Sequence, residues 1–188
     1  MATSEPQLRE IYVQPGESHL VEHPAVMRTV LGSCVGITFL VPRLGIGALC
    51  HPMMPRCPAA QPAKLSVHTG RRYVDFAIRD MASRLDRLGA ARTEAVVKLF
   101  GGNDVLTVSS GHVQPTIGRQ NSEAALRVLA EEGFRIAASR LGGDHGVHIS
   151  FETVHGEVLL RRLDSVPACE AGKPARGSHG AHHRRQHL

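Results

Sequence analysis

Cys34 and His51 are the pair of side chains in this 188-residue chain whose types and positions are best suited to chemistry. A thiolate can attack an amide carbonyl, and an imidazole can stabilise that thiolate as imidazolium and then protonate the departing ammonia. Water would hydrolyse the remaining thioester with the same histidine as base, and a third polar group normally orients the imidazole. Gly32 and Ser33 directly precede the cysteine, so a tight turn could present the Cys34 N–H to the oxyanion.

A β-hairpin is predicted to bring these two residues together. Residues 30–41 are mostly apolar and β-branched, Pro42-Arg43 is typical of a turn, and residues 46–50 form a returning strand. Cys34 lies near the start of one arm and His51 at the end of the other. Since the two ends of an antiparallel hairpin are neighbours, the two side chains should lie side by side.

The pattern alone leaves two other interpretations open. A single cysteine among valine, glycine and isoleucine is usually a small buried apolar residue. Cys34, Cys50, His51 and Cys57 could instead bind a metal, although the C-x₂-C pairing of structural zinc sites is absent. Cys50 and His51 would also face opposite sides of one strand.

The remaining segments favour an α+β fold, with an antiparallel sheet or sandwich covered by helices. Four prolines make residues 52–66 an irregular loop. Helices are predicted over 71–88, where Val74, Ile78, Met81, Leu85 and Leu88 form an apolar stripe, and from the N-cap Asn121 to Glu132. Further strands are predicted over 11–13, 95–100 and 135–139, with a second hairpin of 147–154 and 157–163.

Charge and composition argue against nucleic-acid binding and membrane insertion. The net charge is +5, and four of these charges belong to residues 171–188, which contain no acid. We therefore expect a flexible N-terminus over 1–10, a folded domain over 11–163, and a disordered, basic, His-rich tail over 164–188. A signal core and long apolar runs are absent, so the protein is expected to be cytoplasmic with free cysteines.

The segment Thr29-Val30-Leu31-Gly32-Ser33-Cys34-Val35 resembles the signature of the CheD family, the chemoreceptor glutamine deamidases. The resemblance continues in consistent order over roughly residues 11–163. Its other segments are the histidine segment 47–55, the helix segment 72–78, Phe100-Gly101-Gly102, residues 117–121, residues 141–144 and the closing hairpin.

The resemblance implies a fold and a site. The implied fold has three layers, α/β/β, with an antiparallel β-sandwich flanked by two main helices, as in related glutamine-deamidating bacterial toxins. By the same resemblance, Cys34 is the nucleophile, His51 the general acid and base, and Thr29 the residue that orients His51. No cofactor and no metal are implied. A stabilised thiolate would make Cys34 react with iodoacetamide faster than Cys50 or Cys169.

The resemblance also implies substrates and partners. The expected substrates are glutamines on the cytoplasmic helices of chemoreceptors, which would be converted to glutamate in chemotaxis adaptation. Hydrolysis of glutamyl methyl esters would use the same residues. A CheC-type phosphatase is a further expected partner. The alternative function is a regulatory binding module for such a phosphatase with little catalysis.

Overall fold

A computed structural model describes residues 8–58, 66–104 and 115–163, which contain nine strands and three α-helices. The helices are α1 (Val67–Gly70), α2 (Val74–Arg87) and α3 (Ile117–Glu131). The strands are β1 (Arg9–Tyr12), β2 (Ser18–Val21), β3 (Ala25–Leu31), β4 (Val35–Val41), β5 (Ile46–Cys50), β6 (Val96–Gly101), β7 (Ile136–Leu141), β8 (Val147–Glu152) and β9 (Val158–Arg162).

Two sheets and a helical layer form the predicted three layers. One sheet has the order β1-β3-β8-β9 and the other the order β2-β5-β4-β6-β7. One face of the five-stranded sheet packs with α2 and α3 in a core that includes Ile37, Phe39 and Ile78. Its other face packs on the four-stranded sheet through a second core that includes Leu49, Met27 and Phe151. The five-stranded sheet is therefore the middle layer, and the predicted α+β sandwich with two main helices is confirmed.

Each sheet contains one parallel pair, so neither is purely antiparallel. β1 is parallel to β3, and β6 is parallel to β7. The chain between β6 and β7 includes α3, and parallel neighbours need such a crossover.

The hairpin that carries the candidate site is present, but its first arm is shorter than predicted. β4 and β5 are antiparallel with Ile37 opposite Cys50, and a 3-10 turn over Pro42–Leu44 joins them. The prediction of one strand over residues 30–41 was wrong. β3 ends at Leu31 in the four-stranded sheet, and β4 begins at Val35 in the other sheet. Residues 32–34 therefore cross from one sheet to the other, which an unbroken strand could not do.

The two main helices follow the predicted apolar pattern with corrected ends. Val74, Ile78, Met81 and Leu85 have no exposed surface, whereas Leu88 lies beyond the end of α2 and is 36% exposed. The N-cap of α3 is Thr116, five residues before the predicted cap, because the Thr116 side chain accepts the Arg119 N–H. Asn121 is consequently not a cap. It lies fully buried inside the helix.

The other predicted strands are present with small changes at their ends, and β1 begins at Arg9. Residues 52–58 of the proline-rich segment lie outside the helices and strands, apart from one bridge between Met54 and Tyr73. Residues 59–65 and 164–188, and with them the predicted tail, lie outside the described residues, as do residues 1–7. In the described part of the chain, no helix is long and apolar enough to cross a lipid bilayer.

Candidate active site

Cys34 lies at the end of the loop that crosses between the two sheets, and this loop is held by its carbonyl groups. The carbonyl oxygens of three successive residues each accept a hydrogen bond from a neighbouring segment. The Asn103 N–H donates to Gly32 at 2.9 Å, the Asn121 side chain to Ser33 at 2.8 Å, and the Gly102 N–H to Cys34 at 2.8 Å. Among the described residues, the Cys34 N–H has no acceptor on another residue. This N–H is therefore available to a ligand.

Gly101 and Gly102 allow the chain after β6 to approach this loop closely. Both have positive φ, 93° and 64°. A Cβ on Gly101 would lie 2.4 Å from the Cys34 carbonyl oxygen, and one on Gly102 would lie 1.9 Å from Ser122 Oγ. Larger residues would strain the backbone and push the cysteine loop away. The glycine pair therefore supports the cysteine loop.

His51 follows the last residue of β5 and is held on both sides of its backbone. Its N–H donates to the Glu17 carbonyl at 2.9 Å, and its carbonyl accepts the Gly16 N–H at 2.7 Å. The Val35 N–H donates to the Pro52 carbonyl at 3.3 Å. The residue after Cys34 is thus bonded to the residue after His51, so the backbone segments that carry the two residues meet at this end of the hairpin.

Thr29 lies in β3, and its side chain reaches across the sandwich to His51. Both residues are 1% exposed. Thr29 Oγ1 lies 2.7 Å from His51 Nδ1 and also donates to the Val13 carbonyl at 2.7 Å. His51 Nδ1 lies 3.4 Å from the same carbonyl. The structure therefore brings together two of the three residues nominated from the sequence through a direct hydrogen bond.

These three contacts assign the tautomer of the neutral imidazole. The Val13 carbonyl can only accept, so the single hydroxyl hydrogen of Thr29 is used on it. Thr29 Oγ1 must then accept from His51, which places the ring hydrogen on Nδ1. Nε2 is left with its lone pair free. In the described residues this buried atom has no hydrogen-bond partner, so it can act as a base.

Burial shifts the pKa of both candidate catalytic groups in the direction that favours their neutral forms. Burial lowers the pKa of His51 below 6.5, although the Val13 carbonyl and the Glu17 charge act in the opposite direction. Burial also raises the pKa of the Cys34 thiol above 9.0, and its own N–H opposes that shift. Both directions oppose the stabilised thiolate that was expected.

Cys50 lies on the opposite side of the strand from His51, as its alternating position predicted. It is fully buried in the core between the middle sheet and the helices, and burial raises its pKa to about 11. His51 instead bonds across the sandwich to Thr29. The hypothesis of one metal site shared by Cys34, Cys50, His51 and Cys57 is therefore not supported, because Cys50 and His51 face opposite sides of the strand. Cys169 lies outside the described residues.

Asn121 is a site residue that the sequence did not reveal as such. Its side-chain Nδ2 donates to the Ser33 carbonyl at 2.8 Å and to the Met53 carbonyl at 2.9 Å. It therefore joins the loop before Cys34 to the loop after His51. The only local signal was an asparagine near a helix start, and that signal was interpreted as a cap.

Comparison with known proteins identifies the class. Residues 53–162 match the family model described as CheD chemotactic sensory transduction. Relatives named "Probable chemoreceptor glutamine deamidase CheD 2" from Geobacter sulfurreducens and "Probable chemoreceptor glutamine deamidase CheD" from Maridesulfovibrio salexigens are 37% and 34% identical. The first alignment covers 89% of this chain and 99% of the relative, and the second covers 87% and 98%. The chain belongs to the CheD family.

A third relative shows the same match. The "Probable chemoreceptor glutamine deamidase CheD" of Archaeoglobus fulgidus is 35% identical over 81% of this chain and 92% of its own length. The family-model match begins at Met53, after Thr29, Cys34 and His51.

Proposed function

We propose that this protein hydrolyses glutamine side chains of chemoreceptors to glutamate and releases ammonia. The observation that carries the proposal is the buried, unpartnered Nε2 of His51, whose tautomer is fixed by Thr29, beside the loop that presents Cys34. The names of its relatives support the same activity. Chemoreceptor glutamines are reached from the cytoplasm, so we place the protein there.

The first half of the reaction forms a thioester. His51 Nε2 takes the proton of the Cys34 thiol as Sγ attacks the glutamine carbonyl carbon, because both groups start neutral. The carbonyl oxygen becomes an oxyanion, and the free N–H of Cys34 donates to it. The imidazolium then protonates the nitrogen, the C–N bond breaks, and ammonia leaves.

The second half of the reaction returns the enzyme to its starting state. His51 Nε2 takes a proton from water as the water oxygen attacks the thioester carbonyl. When the tetrahedral intermediate collapses, the C–S bond breaks and the imidazolium returns its proton to Cys34. Thr29 accepts from Nδ1–H throughout, so it holds the ring in one orientation and stabilises the imidazolium.

A glutamyl methyl ester would react by the same steps, with methanol as the leaving group in place of ammonia. The regulatory partner proposed with this activity is a CheC-type phosphatase. It would act by covering or releasing the Cys34 loop, which the receptor glutamine must reach.

Site-resolved mass spectrometry tests the activity. The full chain is incubated with a cytoplasmic fragment of a chemoreceptor that carries glutamines, and each residue is examined for replacement of the amide NH₂ by OH. Selected glutamines should become glutamate. A sample of the fragment in buffer without enzyme serves as the blank. An unchanged fragment, together with tight binding of a CheC-type phosphatase, would favour the binding module in place of the enzyme.

A further inference from the structure

Asn121 connects the two catalytic loops from a third element, α3. The residue is fully buried, and its two amide hydrogens are both used, one on the Ser33 carbonyl and one on the Met53 carbonyl. Rotating the amide by half a turn would set Oδ1 against two carbonyl oxygens, so only this orientation is possible. The clamp therefore has one geometry.

The bond to Ser33 fixes the direction of the Cys34 N–H. In a trans peptide, the carbonyl of one residue and the N–H of the next lie in one plane and point in opposite directions. The described residues contain no cis peptide. Holding the Ser33 oxygen toward Asn121 thus turns the Cys34 N–H away from α3 and leaves it without an acceptor on another described residue.

The bond to Met53 fixes the other half of the site. Met53 is the second residue after His51, and its own N–H donates to the Arg72 carbonyl at 2.8 Å. One side chain therefore links the cysteine loop to the histidine segment, in addition to the backbone bond between the Val35 N–H and the Pro52 carbonyl.

A cost accompanies this arrangement. Asn121 Oδ1 is buried and has no hydrogen-bond partner in the described residues. A buried acceptor without a partner destabilises a fold by about 1–3 kcal/mol. An apolar residue would remove that cost but would leave the Ser33 and Met53 carbonyls without these donors, so the amide serves to hold both loops.

We propose that Asn121 is a positioning residue for the deamidation reaction, which orients the Ser33–Cys34 peptide so that its N–H meets the oxyanion. This inference rests on the proposed function. It adds a residue that does not touch the substrate and acts through the Cys34 N–H.

The test compares Asn121→Ala with Thr153→Ala in the full chain. Thr153 is also buried and also makes a long-range hydrogen bond, to the Ala25 N–H at 2.9 Å, but it lies at the other end of β3. Ammonia release from a chemoreceptor fragment gives kcat and KM. Alkylation of Cys34 by iodoacetamide, followed by mass spectrometry of its peptide, gives the reactivity of the thiol without any oxyanion.

For N121A we expect kcat to fall about 10²-fold, the effect of misplacing a group by roughly 1 Å. KM and the alkylation rate should each change by less than about threefold, because neither depends on the oxyanion. T153A should keep the wild-type kcat. If N121A does not fold, Asn121→Ser, which keeps one donor, replaces it with the same expected direction.

Three outcomes would overturn the inference. A wild-type kcat in N121A would remove the positioning role while the deamidase proposal stands. A parallel loss of kcat and of Cys34 alkylation would show that Asn121 acts on the thiol or on the fold and not on the oxyanion. Equal activity of wild type and Cys34→Ala would overturn the proposed function, and this inference with it.

Discussion

The interior of the sandwich has a buried threonine near each end of β3, and the two differ in what they contact. At the far end, defined by His23, Ala25 and Thr153, the Thr153 hydroxyl accepts the Ala25 N–H at 2.9 Å and donates to the His23 carbonyl at 3.4 Å. At the site end, defined by Val13, Thr29 and His51, the Thr29 hydroxyl donates to a carbonyl and accepts from an imidazole.

The hydrogen-bond network at the far end consists of paired groups, whereas the network at the site end includes one group without a partner. The far-end hydroxyl bonds only to backbone groups, and such a network serves the fold alone. The site-end network ends at a buried Nε2 without a partner in the described residues. Leaving such a group unpaired costs about 1–3 kcal/mol. The difference supports the proposal that a buried threonine stabilises the fold at one end and orients the proposed base at the other.

The largest expected effect is the loss of activity when His51 is replaced, compared with the same change at His23. His51→Gln should lower kcat by about 10²- to 10⁴-fold, because it removes the general acid and base. His23→Gln is the matched change at the far end, where the side chain is exposed, and it should leave kcat unchanged. Ammonia-release kinetics measure both. Comparable losses of kcat in the two variants would contradict the claim that only the site end contributes to activity.

The two threonines should separate stability from activity. Thr29→Val and Thr153→Val each leave buried backbone groups unpaired, so each should cost about 1–3 kcal/mol in thermal unfolding. Only T29V should lower kcat, by about 10²-fold, because the ring of His51 loses its orientation.

Thr29→Ser keeps the hydroxyl and serves as the control for that loss. It should recover most of the activity. A T153V variant as inactive as T29V would mean that activity merely follows stability.

The pH dependence of kcat/KM should show which protonation states react. The neutral form of His51 is required, so activity should rise with pH as the imidazole loses its proton. Burial lowers the pKa of His51, which places the midpoint of this rise below 6.5. If a free thiolate were required without a base, activity would instead keep rising past pH 9.0, because burial raises the pKa of Cys34 above that value.

The smallest expected effect is a shift in the midpoint pH of that rise in activity. The negative charge of Glu17 raises the pKa of His51. Glu17→Gln should therefore move the midpoint to lower pH, while the plateau rate stays close to that of wild type. Glu22→Gln, next to His23 at the far end, should not move it. A shift to higher pH in E17Q would contradict the electrostatic account.

The sequence was sufficient for the parts of the site that depend on neighbouring strands. The turn at Pro42 and the strand ending at Cys50 predicted a hairpin, and a hairpin determines which residues are adjacent across it. The apolar stripe from Val74 to Leu85 could also be predicted from neighbouring residues, since its period alone identifies the buried face of the helix.

The parts that depend on distant contacts were not predictable from pattern. Asn121 bonds to residues 88 and 68 positions away, and nothing in its local sequence distinguishes a clamp from a cap. The crossing at residues 32–34 was missed because the pattern of an apolar, β-branched segment predicts one strand even when the chain changes sheets. Thr29 was nominated by family resemblance, because its contact with His51 spans two sheets.

Cys34 as the nucleophile is the central claim, and ammonia release by Cys34→Ala tests it most directly. Cys50→Ala is the matched control, because Cys50 ends the strand that leads to His51 but faces the helical core. With a chemoreceptor fragment as substrate, C34A should release ammonia no faster than buffer, while C50A should retain activity. Undiminished release by a correctly folded C34A would contradict the account.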